Sequence, residues 1–113
     1  MPSRVGIAGL GCFLPHKIVS NKILSHTLDT SCKWIYEKTG IKNRRIVDLR
    51  HNTSDLAAFA ANHAIADAEL NKEDIDMIIV ATSTPDKPIP SCASAVQHLL
   101  GIQNCAAYDI NCV

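Results

Sequence analysis

The run IDMIIVA, residues 75–81, is apolar at every position except Asp76. A strand with one wet face alternates apolar and polar residues. A nearly unbroken run is therefore predicted to be covered on both faces, as parallel sheets flanked by helices require. The next elements agree with a parallel arrangement. Pro90-Ser91 opens a helix predicted through Val96, Leu99 and Leu100 to a stop at Gly101. AAYDINCV, residues 106–113, then reads as the next strand, with Asp109 and Asn111 as its polar breaks. Strands alternating with helices define an α/β chain.

The preceding residues continue the alternation. Val5 to Cys12 is predicted to be a buried first strand, its glycines at 6, 9 and 11 allowing close packing before Leu14-Pro15 ends it. The glycine order, G-x-x-G-x-G, is the reverse of the dinucleotide fingerprint, and a loop with Pro15 comes next instead of a helix start. Asn21–Leu28 is predicted to be a short helix. Asp29-Thr30-Ser31 offers caps for a second helix that carries Trp34, Ile35 and Lys38 and stops at Gly40, and Arg44–Val47 is a short strand. Thr53 and Ser54 are candidate caps for the longest helix, Asp55–Leu70. Its stripe of Ala57, Ala61, Ala64 and Ala68 lets a neighbour approach closely.

Bulk properties exclude several functions. With 113 residues there is room for one domain with a modest core. Eleven basic and eleven acidic side chains cancel, so no overall field draws the chain to nucleic acid or an anionic membrane. No segment approaches the roughly 18 apolar residues of a membrane span. Arg4 ahead of the apolar run Val5–Leu14 imitates a secretion signal, but glycines interrupt the run and no small-x-small cleavage site comes after Pro15. The five cysteines, at 12, 32, 92, 105 and 112, form no CxxC pair and no zinc-ligand spacing, and their odd number argues against a disulfide framework. A reducing, cytoplasmic setting and no metal are expected.

Two stretches carry candidate chemistry. DTSCKWIYEKTGIKNRR, residues 29–45, holds the single tryptophan and five of the basic residues. Trp34 and Lys38 are four apart and share a helix face, where an indole beside an ammonium suits a flat anionic ligand such as a nucleotide. The competing reading makes Trp34 a core anchor and the lysines a solvated face. ATSTPDKPIPS, residues 81–91, is a loop at the carboxyl end of the most apolar strand, where α/β proteins place ligands, or else a stiff connector. Asp109 reads as a buried acid or an edge contact, and Cys112 as a nucleophile or a small buried hydrophobe. The histidines at 16, 26, 51, 63 and 98 join no catalytic signature.

Taken in order, GLGCFLPHKIVSN, DTSCKWIYEKTGIKNRR, TSDLAAFAANHAIADA, IDMIIVATSTPDKPIPSCASAVQHLLG and AAYDINCV resemble the N-terminal part of β-ketoacyl-acyl-carrier-protein synthase III. The resemblance implies a thiolase-like α/β fold, with residues 1–113 forming the first part of the N-terminal mixed-sheet half, and a homodimer. It implies an acyltransferase that starts fatty-acid synthesis. An acyl group passes from acyl-CoA to a cysteine thiolate, and the carbanion from decarboxylated malonyl-acyl-carrier protein then attacks the thioester. No cofactor is implied, since the coenzyme A thioester is the substrate.

By the same resemblance the nucleophilic cysteine is expected just after Val113, with its histidine and asparagine partners outside these residues. Trp34 would stack on the CoA adenine, Lys38 would support the nucleotide where arginine is usual, and Thr30 would neighbour the base. Ile89 would reach across the two-fold and close the partner's acyl pocket. Two alternatives stay open: a non-catalytic thiolase-fold module that binds acyl-CoA or a partner, and a sibling synthase with another acyl acceptor.

Overall fold

The computed structural model describes residues 5–111; Arg4, Cys112 and Val113, on which parts of the sequence reading rest, lie outside the described residues. The chain divides into two compact units, one of residues 14–50 and one that joins the N-terminal stretch up to Phe13 to the residues from His51 onward.

In the 14–50 unit, β1 (Lys17–Ser20) pairs antiparallel with β2 (Asn43–Ile46), Val19 standing opposite Arg44. Helices α1 (Asn21–Thr27) and α2 (Cys32–Thr39) lie between them in sequence. A serine starts each helix by accepting from a backbone N–H one turn on: Ser20 from Ile23, and Ser31 from Trp34 at 3.1 Å. At Gly40 the backbone turns left-handed (φ 68°) and its N–H donates to the Tyr36 carbonyl at 2.8 Å, ending α2 where the sequence places the stop. The buried residues are Val19, Ile35 and one polar group, Asn21. That asparagine is satisfied on every side. Its Nδ2 donates to the Ile41 carbonyl at 2.8 Å, its Oδ1 accepts from Arg44 Nη1 at 2.9 Å, and its N–H donates to the Lys42 carbonyl at 3.1 Å. The start of α1 is thereby tied to the approach to β2. β1 carries no period that a sequence reading can count, because four residues are too few; pairing with β2 decides it.

The other unit is built from α3 (Thr53–Asp67), a 3₁₀ turn (Lys72–Asp74), β3 (Met77–Ala81), α4 (Cys92–Leu100) and β4 (Ala106–Ile110). β3 and β4 are parallel, with Ile79 opposite Tyr108 and Val80 opposite Asp109. α4 is the crossover between them. Ser91 caps α4 by accepting from Ser94 N–H at 3.1 Å, and Gly101 (φ 73°) ends it. Ala58, Val96, Leu100 and Ile102 form the core, with Ala57, Ala61, Ile78 and Val80 packed against it. Half of the alanine stripe thus lets α3 come close to α4. α3 starts at Thr53, with the Asp55 carboxylate accepting from Asn52 N–H at 2.7 Å, two residues earlier than expected.

Two expectations are corrected. Val5–Cys12 forms no strand among the described residues: it carries no ladder there, because a strand exists only where a neighbour takes its hydrogen bonds. It runs instead along α3, where a Cβ on Gly9 would lie 2.6 Å from the Ala64 carbonyl oxygen and a Cβ on Gly11 would collide with that of Ala60. Close packing at these two glycines is therefore real, but against a helix, using Ala64 and Ala68 of the stripe. Gly6 meets nothing within 4 Å. The second correction concerns β3, which is covered on one face only among the described residues. Ile78 and Val80 point to the core, while Met77, Ile79, Tyr108 and Ile110 remain 51, 49, 43 and 42% exposed.

Candidate functional site

In the 14–50 unit, Asp29, Thr30, Ser31 and Trp34 line an open cavity of about 370 Å³. The N-cap geometry builds it. Ser31 turns the chain from extended backbone into α2, which places Asp29 and Thr30 just before the helix and Trp34 in its first turn. Trp34 is 55% exposed, against the core-anchor reading, and Ile35, the next residue, is the one that is buried. Thr30 Oγ1 is shielded from water with no hydrogen-bond partner among the described residues. A hydroxyl in that condition costs about 1–3 kcal/mol, a penalty that a polar atom of a bound molecule can remove.

The electrostatics run along the helix. Asp29 puts a carboxylate at the N-terminal end, suited to amino or hydroxyl donors. Lys38 stands one turn beyond Trp34, about 6 Å along the axis, suited to an anion. Four of the five basic residues in this stretch have partners. Lys33 pairs with Glu37 at 3.8 Å, Lys42 lies over the Tyr36 ring at 5.5 Å, Arg44 holds Asn21, and Arg45 donates to the Pro15 carbonyl at 3.1 Å. The Lys38 ammonium is without an ion pair or side-chain hydrogen bond among the described residues. Flat aromatic surface, hydroxyl, acid and a free cation in this order match a molecule with a planar heterocycle at one end and negative charge further along.

The other stretch, after β3, is held at both ends. The Asp86 carboxylate accepts from Ser54 N–H at 3.0 Å and from the Ser54 hydroxyl, while Thr53 Oγ1 donates to the Thr84 carbonyl at 2.8 Å. Thr53 and Ser54 therefore fasten a loop to α3; the N-cap itself is Asn52. Asp109 lies in β4, half-buried, and accepts from Cys92 N–H and Ala93 N–H at 2.7 Å each, so it caps α4 across the fold. Neither role is visible in sequence, because each pairs residues far apart along the chain. Ile89 sits between these two attachments, 86% exposed, and its bond to Pro90 is cis.

No thiol among the described residues has the setting of a nucleophile. Cys92 is 1% exposed, and burial first, then the charges of Asp86 and Asp109, push its thiol up from the ordinary value. Cys12 and Cys32 are free and exposed, and Cys105 is half-buried. Cys112, the candidate weighed from sequence, lies outside the described residues. His63 Nδ1–H donates to the Cys12 carbonyl at 2.8 Å, a structural tie. Among the described residues no cluster of three or more His, Cys, Asp or Glu side chains can hold a metal ion, and no helix is long and apolar enough to cross a membrane.

The chain is similar to proteins of known structure. The chain superposes with a TM-score of 0.89 on 3-oxoacyl-[acyl-carrier-protein] synthase III from Aquifex aeolicus, at 40% identity, covering 94% of this chain and 34% of that one. On the priming β-ketosynthase of the R1128 polyketide pathway the TM-score is 0.88 at 28% identity, over 99% of this chain and 35% of that one. The fold is therefore that of the matching third of the thiolase-fold condensing enzymes, and the α/β expectation holds.

Sequence narrows it further. β-Ketoacyl-[acyl-carrier-protein] synthase III of Ehrlichia chaffeensis is 50% identical over 110 residues, 97% of this chain and 34% of that protein. The protein of the same name from Neisseria gonorrhoeae is 54% identical over 108 residues, 95% of this chain and 34% of that protein. The chain is a homologue of β-ketoacyl-[acyl-carrier-protein] synthase III, and it spans about a third of the length of the curated relatives it matches. No protein-family model matches the chain.

Proposed function

We propose that this chain supplies the nucleotide-binding side of an acyl-CoA site in a condensing acyltransferase, one that joins an acyl-CoA primer to malonyl-acyl-carrier protein with loss of carbon dioxide. The observation that carries the reading is the cavity at the start of α2, where the half-exposed Trp34 indole stands beside the unpartnered Thr30 hydroxyl. Trp34 is the stacking surface for the adenine, Thr30 Oγ1 and the Asp29 carboxylate meet its polar edge or the ribose, and Lys38 faces phosphate. The names of the relatives support the condensation half of the reading. In this proposal the nucleophilic cysteine comes after Val113. The working form is a cytoplasmic homodimer in which Ile89, already exposed, closes the partner's acyl pocket, and CoA thioester enters as substrate without any cofactor.

Titration of CoA into the complete protein tests the site. Removing a base-stacking aromatic costs about 1–3 kcal/mol, so Trp34→Ala is expected to weaken binding on the order of 5- to 150-fold. An unchanged affinity in a folded Trp34→Ala protein would assign the indole to some other contact and remove the CoA reading.

A further inference from the structure

Ile89 lies three residues after one anchor and three residues before another. On one side the Asp86 carboxylate takes both the N–H and the hydroxyl of Ser54, a residue only 4% exposed. The Thr53 hydroxyl adds a bond to the Thr84 carbonyl, and Thr84 N–H donates to Thr82 Oγ1 at 3.1 Å. On the other side Asp109 holds Cys92 and Ala93. Between the anchors runs Lys87-Pro88-Ile89-Pro90, in which each proline fixes its own φ and restricts the residue before it. A segment constrained this way loses little further freedom when its exposed apolar residue is buried against a partner. The chain's own carboxylates already fill the N-termini of α3 and α4, which makes neither of them an anion site.

We propose that Asp86 is a positioning residue for primer selectivity: by gripping Ser54 it sets how far the Ile89 side chain reaches, and so the length of acyl chain that is accepted. The inference rests on the reading that Ile89 closes an acyl pocket. In this role Asp86 need touch neither substrate nor reacting atoms. It acts through the backbone of residues 86–89, and its loss leaves the Asp109 anchor and α4 in place.

The test measures kcat/KM of the complete protein for a two-carbon and a longer acyl-CoA primer and reads their ratio. Asp86→Ala is expected to move the ratio threefold or more toward the longer primer. Ser54→Ala keeps the bond from Ser54 N–H and should move it less, in the same direction. Asp86→Asn, which still accepts from Ser54 N–H and can donate to its hydroxyl, should restore most of the parental ratio. In an Ile89→Gly background Asp86→Ala should add nothing, because its effect passes through the side chain already removed. Equal losses for both primers in Asp86→Ala would overturn the proposal by showing a purely structural role. Should that variant not fold, an unmoved ratio in Ser54→Ala decides against it. If Ile89→Gly alone leaves the ratio unchanged, the acyl-pocket reading itself fails; if it moves the ratio while Asp86→Ala and Ser54→Ala do not, only this inference fails.

Discussion

Asp109→Ala is the perturbation that most directly probes how this fold is held. The carboxylate accepts two backbone hydrogen bonds at 2.7 Å, from Cys92 and Ala93, at the start of a nine-residue helix. Hydrogen bonds to a charged group contribute about 1.5–3 kcal/mol each, and an anion at a helix N-terminus adds about 0.3–1 kcal/mol. Water cannot easily replace the lost partner, since Cys92 and Ala93 are 1% and 0% exposed. Because Asp109 itself is only half-buried, part of the charge term is screened, and a net loss of about 2–4 kcal/mol is expected. Asp109→Asn keeps one acceptor but points an amide N–H₂ at the second donor, so about half of that loss should remain. Urea denaturation reads the shift in midpoint at constant slope. Hydrogen exchange of the Cys92 and Ala93 amides reads the local effect. A shift below about 0.5 kcal/mol with unchanged protection of those two amides would refute the argument that β4 caps α4.

Gly11→Ala should destabilise by about 1–3 kcal/mol, since its Cβ would collide with the Ala60 carbonyl, while Gly6→Ala, in open space, should be neutral; thermal melts of the two variants check the contrast. Lys38→Arg should leave CoA affinity unchanged or raise it, because a guanidinium keeps the charge and adds a planar fork for phosphate; a loss of affinity by calorimetry would count against a phosphate role. Burial, with Asp86 and Asp109 adding to it, raises the Cys92 thiol. Below the ordinary thiol value both folded and unfolded chains keep the proton. Above it the unfolded chain releases its proton first, so stability falls as pH rises from the ordinary toward the raised value. Cys92→Ala should flatten this alkaline loss above about pH 8.5, and an unchanged slope of urea midpoint against pH would sink the assignment.

Much of the local structure is legible in the chain because its causes are local. Ser31 and Gly40 bracket α2, and Ser91 and Gly101 bracket α4, since capping needs only a side-chain oxygen at one end and a residue tolerant of positive φ at the other. The grouping of residues around Trp34 is legible for the same reason. Thr30, Ser31, Trp34 and Lys38 lie within nine residues, and helical spacing alone puts the last two on one face. Val5–Cys12 misleads because its composition suits a buried strand, whereas strand formation depends on a partner that no local pattern names.

Where α2 and α4 begin and end, that helices alternate with strands from β3 to β4, and which short segment brings an aromatic, a hydroxyl and a cation together are all written in the amino-acid order. Each of those comes from contacts within about one turn or one strand. Long-range packing was needed to keep Trp34 in water while Ile35 is buried, to bring Asp109 to α4 and Asp86 to α3, and to lay Gly9 and Gly11 against a helix backbone. The two carboxylate pairings cross 16 to 32 residues of chain, and the glycine contacts with α3 cross more. They are set by which groups arrive side by side when the core of Ala58, Val96, Leu100 and Ile102 closes, and a buried N–H or hydroxyl then takes whatever acceptor the packing brings to it.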